Sequence, residues 1–170
     1  MRLVTNLEVN ENMKAEELKY TISILEDTDN IPFDLLLLAD PSRKTIGDYL
    51  SRGICYVCKT ETDEIVGVYV LIKTRPNTME LVNVAVKESM QGKGIGKKLV
   101  LHAISVAKKE GAKTLEIGTG NSSIQQLALY QKCGFRIVGV DRDFFVRHYD
   151  EEIVENGIVC RDMIRLSMDL

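Results

Sequence analysis

The stretch from Met79 to Glu110 constrains this chain more than any other. In Glu80-Leu81-Val82-Asn83-Val84-Ala85-Val86 apolar residues fall on both parities, so a strand here is covered on both faces and belongs at the centre of a sheet. It leads into Gln91-Gly92-Lys93-Gly94-Ile95-Gly96, after which Ile95, Leu99, Ala103 and Val106 or Ala107 recur at helical spacing until Gly111 ends the helix. Lys108 and Lys109 fall where cations complement the negative end of the helix dipole. Leu115 to Ile117 is then a short apolar strand between two helical patterns, which makes it parallel to the first. Strand, glycine loop, helix and parallel strand form a βαβ unit with helices against the sheet.

The flanking sequence extends this unit. Tyr20, Ile22 and Ile24 alternate with Thr21 and Ser23 as in a strand, and helices fit Phe33 to Leu38 and Arg43 to Leu50, the second with Ser42 as N-cap and Gly53 closing it. Ile54 to Lys59 and Ile65 to Ile72 make a hairpin around Thr60 to Glu64. Ser122-Ser123-Ile124-Gln125 has the form of a capping box that opens a helix ending at Gly134. Phe135 to Val140 and Ile158 to Met168 read as two further strands, separated by a loop carrying Asp150, Glu151, Glu152 and Glu155. The expected fold is a single α/β domain over residues 19–170: a mixed sheet, antiparallel in its N-terminal strands, around a central parallel pair. Residues 1–18 are weakly patterned and read as an N-terminal arm or an extra edge element.

Composition narrows the class. With 170 residues, 45% of them hydrophobic, the chain can build a full core without staples. The apolar run from Leu35 to Ala39 is far below the roughly 20 residues of a membrane span, and the N-terminus lacks a secretory apolar stretch, so a cytoplasmic protein with no membrane partner is expected. A net charge of −3 argues against a nucleic-acid partner and favours a cationic small molecule. Cys55 and Cys58 have the spacing of half a metal site, but no second pair follows, and residues three apart in a strand point to opposite faces. No metal is expected, and the four cysteines read as reduced and structural.

Glycines at a helix N-terminus let an anion approach unpaired N–H groups, so phosphate is the natural guest of the loop. Two phosphate-loop patterns fail on spacing. Counting from Gly92 and Gly94, the dinucleotide fingerprint requires glycine where Lys97 stands. The nucleoside-triphosphatase loop requires Ser or Thr after Gly96-Lys97, and Lys98 follows instead. What remains resembles the GNAT family of acetyl-CoA-dependent N-acetyltransferases. The family's pyrophosphate loop, Gln/Arg-x-x-Gly-x-Gly/Ala, is matched by Gln91, Gly94 and Gly96, and Asn121 followed by Leu129-Tyr130-Gln131-Lys132-Cys133-Gly134-Phe135 is similar to its second motif. The two motifs in this order resemble the family across about residues 19–168, and the closing stretch from Phe144 looks like a bacterial branch of it.

The resemblance implies site residues. The amides of Gln91, Gly92, Lys93, Gly94, Ile95, Gly96 and Lys97 would bind the CoA pyrophosphate. The backbone from Val84 through Ala85 to Val86 would hold the pantetheine arm, with the Val84 N–H polarising the thioester carbonyl. Tyr130 falls where the family commonly protonates the departing thiolate. Asn121 would contact pantetheine or serve as a helix N-cap. Glu80 sits where some members place a general base, with a solvent-facing or lysine-paired carboxylate as the alternative and His148 or His102 as other candidate bases. Cys133, with no base identified beside it, is a poor nucleophile candidate.

The implied reaction is direct attack of a primary amine of a small molecule or peptide on acetyl-CoA in a ternary complex. A catalytically silent acyl-CoA sensor is the alternative. In this architecture the acceptor groove comes from residues 33–53 and 141–157, and the acids Asp150, Glu151, Glu152 and Glu155 beside His148 and Tyr149 point to a cationic acceptor, unless they simply form a solvated loop. A homodimer is left open.

Overall fold

The computed structural model describes residues 19–26 and 30–170; the expected N-terminal arm, residues 1–18, lies outside the described residues. In chain order the elements are β1 (Tyr20–Ile24), α1 (Phe33–Ala39), α2 (Arg43–Arg52), β2 (Gly53–Thr60), β3 (Ile65–Arg75), β4 (Thr78–Val86), α3 (Ile95–Lys109) and β5 (Thr114–Gly120). They continue through α4 (Ile124–Lys132), β6 (Arg136–Asp141), α5 (Phe144–His148), β7 (Val154–Glu155), β8 (Ile158–Val159) and β9 (Met163–Asp169). Seven strands form one sheet in the order β1-β2-β3-β4-β5-β9-β6, and β7 and β8 make a separate hairpin. The β4–β5 pair is parallel, as expected, and every other neighbouring pair in the sheet is antiparallel. Among the described residues no helix is long and apolar enough to cross a membrane.

Helices cover both faces. On one, Leu99, Val100 and Ala103 of α3 and Tyr130 of α4 pack with Tyr69, Leu81, Leu115, Ile117 and Leu166. On the other, Leu36 of α1 and Ile46 and Tyr49 of α2 pack with Val57, Val68, Val70 and Ala85. Burying each such Leu or Ile contributes roughly 1.5–3 kcal/mol, which is what holds the helices on the sheet. Cys55 and Cys58 lie against different clusters, as two residues three apart in a strand must.

The mixed parity of β4 has a second cause besides its central position. Val70 pairs with Asn83 and Leu71 with Leu81, so Val82 is an extra residue in the ladder. This bulge reverses the alternation: Met79 and Leu81 face α3, and beyond it Val84 and Val86 do so, while Val82 and Ala85 turn to α1 and α2.

Three expectations are corrected. Ser42 does cap α2, accepting from the Thr45 N–H at 3.2 Å. Ser122 and Ser123 form no capping box, because both hydroxyls donate to Glu155 Oε2, at 3.1 and 2.5 Å. Asn121 is not an N-cap either, since Ser123 occupies that place on α4. The strand expected from Ile158 to Met168 is broken at residues 160–162, where the Cys160 N–H turns to Ile153 O and the Arg161 and Asp162 N–H groups donate to Asn121 Oδ1. A five-residue helix, α5, precedes the acidic stretch.

Candidate active site

The central pair does not stay paired. β4 and β5 are in register from Thr78–Thr114 to Leu81–Ile117, after which β4 continues to Val86 against β3 alone. Antiparallel ladders alternate between residue pairs that exchange hydrogen bonds and pairs that do not. Lys87 N–H donates to Val66 C=O at 2.9 Å, which sets that alternation. Ala85 therefore exchanges bonds with Val68, while Val84 and Val86 direct their N–H and C=O groups away from β3 into the gap left by β5. Consistent with this, the Val86 carbonyl accepts from Gln91 Nε2 at 3.1 Å. Gln91 thus fastens the glycine loop to the end of β4.

Gly92 and Gly94 hold φ of +76° and +80°, a left-handed backbone that costs other L-residues about 1–2 kcal/mol. A Cβ at either would meet nothing within 4 Å, so conformation, not packing, demands glycine there. Among the described residues, no backbone bond engages the N–H groups from Gly92 to Lys97, since the first bond back from α3 is Lys98 N–H to Gly94 O at 3.1 Å. Ile95, 1% exposed, anchors this turn in the core. Unpaired N–H groups at the positive end of a fifteen-residue helix, with Lys93 and Lys97 beside them, fit a pyrophosphate. Gly96 sits where a Cβ would lie 3.6 Å from Leu129 and 3.8 Å from Val86, which brings the loop, α4 and the tip of β4 to one place.

Tyr130 is held in that α4 segment, 5% exposed and edge-on to Phe135 with ring centroids 6.4 Å apart. Burial, with the neighbouring Cys133, pushes its phenol well above the ordinary value, so it stays protonated and available as a donor. Burial also raises the Cys133 thiol, which removes thiolate character despite the opposing effect of Lys97. Asn121 spends its amide on the chain itself: Nδ2 donates to Val159 O at 3.0 Å and Oδ1 takes the two N–H groups named above. It braces the end of β5 against the loop before β9.

Glu80 lies on the opposite face of β4 from Tyr130, since its neighbours Met79 and Leu81 belong to the Tyr130 cluster. It borders a cavity of about 590 Å³ together with Arg75, Glu116, Asp141 and Arg165. Arg165 Nη1 is 3.7 Å from Glu80 Oε1, and Nη2 is 3.5 Å from Asp141 Oδ2. Desolvation raises the Glu80 carboxyl above its usual range, and Arg165 opposes that rise. A carboxylate poised in this way is a better base than a solvated one. The lysine-paired alternative is not what is found; the partner is Arg165 on β9, a residue the sequence reading passed over because no local spacing connects it to Glu80.

Segments 33–53 and 141–157 touch. Tyr149, after α5, bonds Asp40 in the turn between α1 and α2. Next to Val84, the buried Asn83 amide donates to Leu36 O at 3.0 Å and to the Tyr49 hydroxyl at 2.8 Å, while its Oδ1 has no partner among the described residues. The signal for this polar group was present: Asn83 is the one polar residue in the run from Leu81 to Val86. His102 is on the α3 face, with Nδ1 2.8 Å from the Tyr69 hydroxyl, remote from Glu80's side of the sheet. His148 is exposed on α5, its ring 4.6 Å from that of Phe144. Of the four loop acids, Glu155 is consumed by Ser122 and Ser123, which leaves Asp150, Glu151 and Glu152 exposed.

A splayed parallel pair, a glycine turn at the positive end of α3 and a second motif on α4 define a class, and the chain belongs to the acetyltransferase (GNAT) family of acetyl-CoA-dependent N-acetyltransferases, matched over residues 21–135. Its sequence is 64% identical over 152 residues to YvbK of Bacillus subtilis (strain 168), described as an uncharacterized N-acetyltransferase, covering 89% of this chain and 97% of that one. A crystal structure of a Bacillus subtilis acetyltransferase in complex with CoA, 64% identical, superposes with a TM-score of 0.85 over 89% of this chain and 99% of the other. A GNAT family acetyltransferase from Elizabethkingia anophelis with acetyl-CoA bound, 49% identical, gives 0.87 over 89% and 98%.

Proposed function

We propose that this enzyme acetylates a primary amine by direct attack within a ternary complex, with Val84, Tyr130 and Glu80 as the working groups. The observation that carries this reading is the gap beyond Leu81 and Ile117, into which the Val84 N–H points with Glu80 on one face of β4 and Tyr130 on the other. The Gly92–Lys97 amides and Lys93 and Lys97 hold the pyrophosphate, and the Val84 and Val86 backbone lines the pantetheine arm. Ala85 contributes by fixing β4 to β3. The Val84 N–H meets charge that develops on the thioester oxygen, a contact of the kind that supplies roughly 3–4 kcal/mol.

An alkylamine with a pKa near 10.4 arrives protonated, so Glu80 must take a proton, directly or through water, before nitrogen can attack. The N–C bond forms and the C–S bond breaks; Tyr130 gives its proton to the departing thiolate, the second proton lost by nitrogen restores the Tyr130 phenol, and Glu80 releases the first to solvent. Burial raises that phenol, and a thiolate held in the same buried site has its conjugate acid raised with it. The exposed Asp150, Glu151 and Glu152 draw the positively charged end of the acceptor toward the cleft. The reaction belongs in the cytoplasm, where acetyl-CoA is made available.

The test is to mix the purified protein with acetyl-CoA and a panel of primary amines and to follow free thiol. Amine-dependent, saturable thiol release supports the reading. Saturable CoA binding with no thiol released on any amine overturns it in favour of a silent acyl-CoA sensor.

A further inference from the structure

The cavity beside Glu80 holds two guanidiniums in different states. Arg75 is drawn to one partner, its Nη2 in a close ion pair with Glu116. Arg165 is not: its contacts to Glu80 and Asp141, 3.7 and 3.5 Å, are well outside the roughly 2.7–2.9 Å of a charge-assisted hydrogen bond. Its Cζ lies over the Phe144 ring, 5.5 Å from the centroid, a contact that consumes no donors. A guanidinium with donors to spare, lining a cavity, is suited to a planar carboxylate.

We infer that this cavity takes an amino acid as acceptor, the amine on Glu80 and the carboxylate on Arg165. The inference rests on the acetyl-transfer reading above and names its substrate class. The amine and carboxylate of an α-amino acid hang from one carbon, a spacing that matches the 3.7 Å between Glu80 Oε1 and Arg165 Nη1. The ligand adds a close ion pair to each of Glu80 and Arg165 and leaves the charge of the cavity unchanged. A polyamine would answer the cavity's carboxylates, Glu80, Glu116 and Asp141, but would leave the Arg165 donors unmet, which makes it the comparison ligand. Val138 and Val140, 64% and 53% exposed on the same wall, offer apolar surface to the side chain. A volume of about 590 Å³ is ample for that.

The test pairs each common α-amino acid with its carboxamide, adds spermidine, and measures binding to the protein loaded with CoA alongside thiol release with acetyl-CoA. At least one acid should bind about tenfold or more tightly than its amide and be acetylated with a correspondingly lower KM. Arg165→Gln should reduce that acid-to-amide ratio to about one, and Arg165→Lys should keep part of it. With binding measured at about pH 6, where acid and carboxamide alike carry a protonated amine, a change in Glu80 basicity acts on both members of a pair and leaves the ratio unmoved. Acids no better than amides in the wild type, or a ratio unmoved by Arg165→Gln, overturns the inference even if other amines are acetylated. Acids that bind with the expected ratio but release no thiol uphold the carboxylate site and overturn acetyl transfer instead.

Discussion

The Tyr149 hydroxyl donates to Asp40 Oδ1 at 3.2 Å and thereby joins the turn between α1 and α2 to the segment after α5, 109 positions apart in the chain. Asp40 is 8% exposed and also accepts the Ser42 N–H at 2.9 Å. Desolvation outweighs both bonds and raises its carboxyl above the usual value. A carboxyl raised on folding stabilises the fold below its unfolded pKa, about 3.9, and that contribution is lost as pH climbs through the folded value. Asp40→Asn keeps an oxygen for both donors and removes the buried charge. Its Tm should equal that of the wild type near pH 4 and exceed it increasingly toward pH 7 in calorimetric scans; a constant offset would show that the charge is not the cause. Tyr149→Phe should cost about 1–2 kcal/mol, or a few degrees of Tm, at neutral pH.

Glu80 must be ionised to accept a proton, so the rate should fall as pH drops through its raised value. Glu80→Gln should lower kcat by about 10²-fold near pH 7 and flatten that acid limb. Because Arg165 opposes the rise, Arg165→Gln should move the limb of the remaining activity to higher pH. A pH–rate profile for the three proteins checks both directions, and an acid limb retained in Glu80→Gln assigns the base elsewhere.

Tyr130→Phe deletes one hydroxyl from a packed site and preserves the ring contact with Phe135. We expect kcat to drop by about 10²-fold with the Kd for CoA unchanged, measured by thiol release and by calorimetric titration. Since burial raises the phenol, the wild type should show no loss of rate on the alkaline side from Tyr130 ionisation. Unaltered turnover in Tyr130→Phe removes it from the acid role.

Gly94 and Gly96 should respond differently to alanine. Gly94→Ala forces an L-residue to φ near +80° at a cost of about 1–2 kcal/mol, and a loop that shifts to escape this carries its N–H groups away from the pyrophosphate. Its Kd for CoA should rise about tenfold. At Gly96 the nearest atoms to a Cβ are at 3.6 and 3.8 Å, ordinary contact distances, and alanine favours the helix. Gly96→Ala should retain CoA binding with a Tm equal to or above that of the wild type.

Local pattern determined a great deal here, because each signal acts within a few residues. The two-sided β4, the helix ended by Gly111, the Ser42 cap and the glycine loop at a helix start all depend on periodicity or on one backbone conformation, and all are legible from neighbours in sequence. The motifs holding Gly94, Gly96 and Tyr130 are of the same kind. Local spacing misled at Ser122 and Ser123, where a charged partner thirty-two positions away took the hydroxyls that a capping box would have used. Only tertiary structure decided what surrounds the reacting groups. The Val82 bulge depends on the β3 ladder. Glu80 meets Arg165 because β9 enters the sheet between β5 and β6, and Asp40 meets Tyr149 because a late loop folds back over α1 and α2. The last two are long-range contacts between charged or polar groups, whose strength depends on burial and geometry that no stretch of sequence carries by itself.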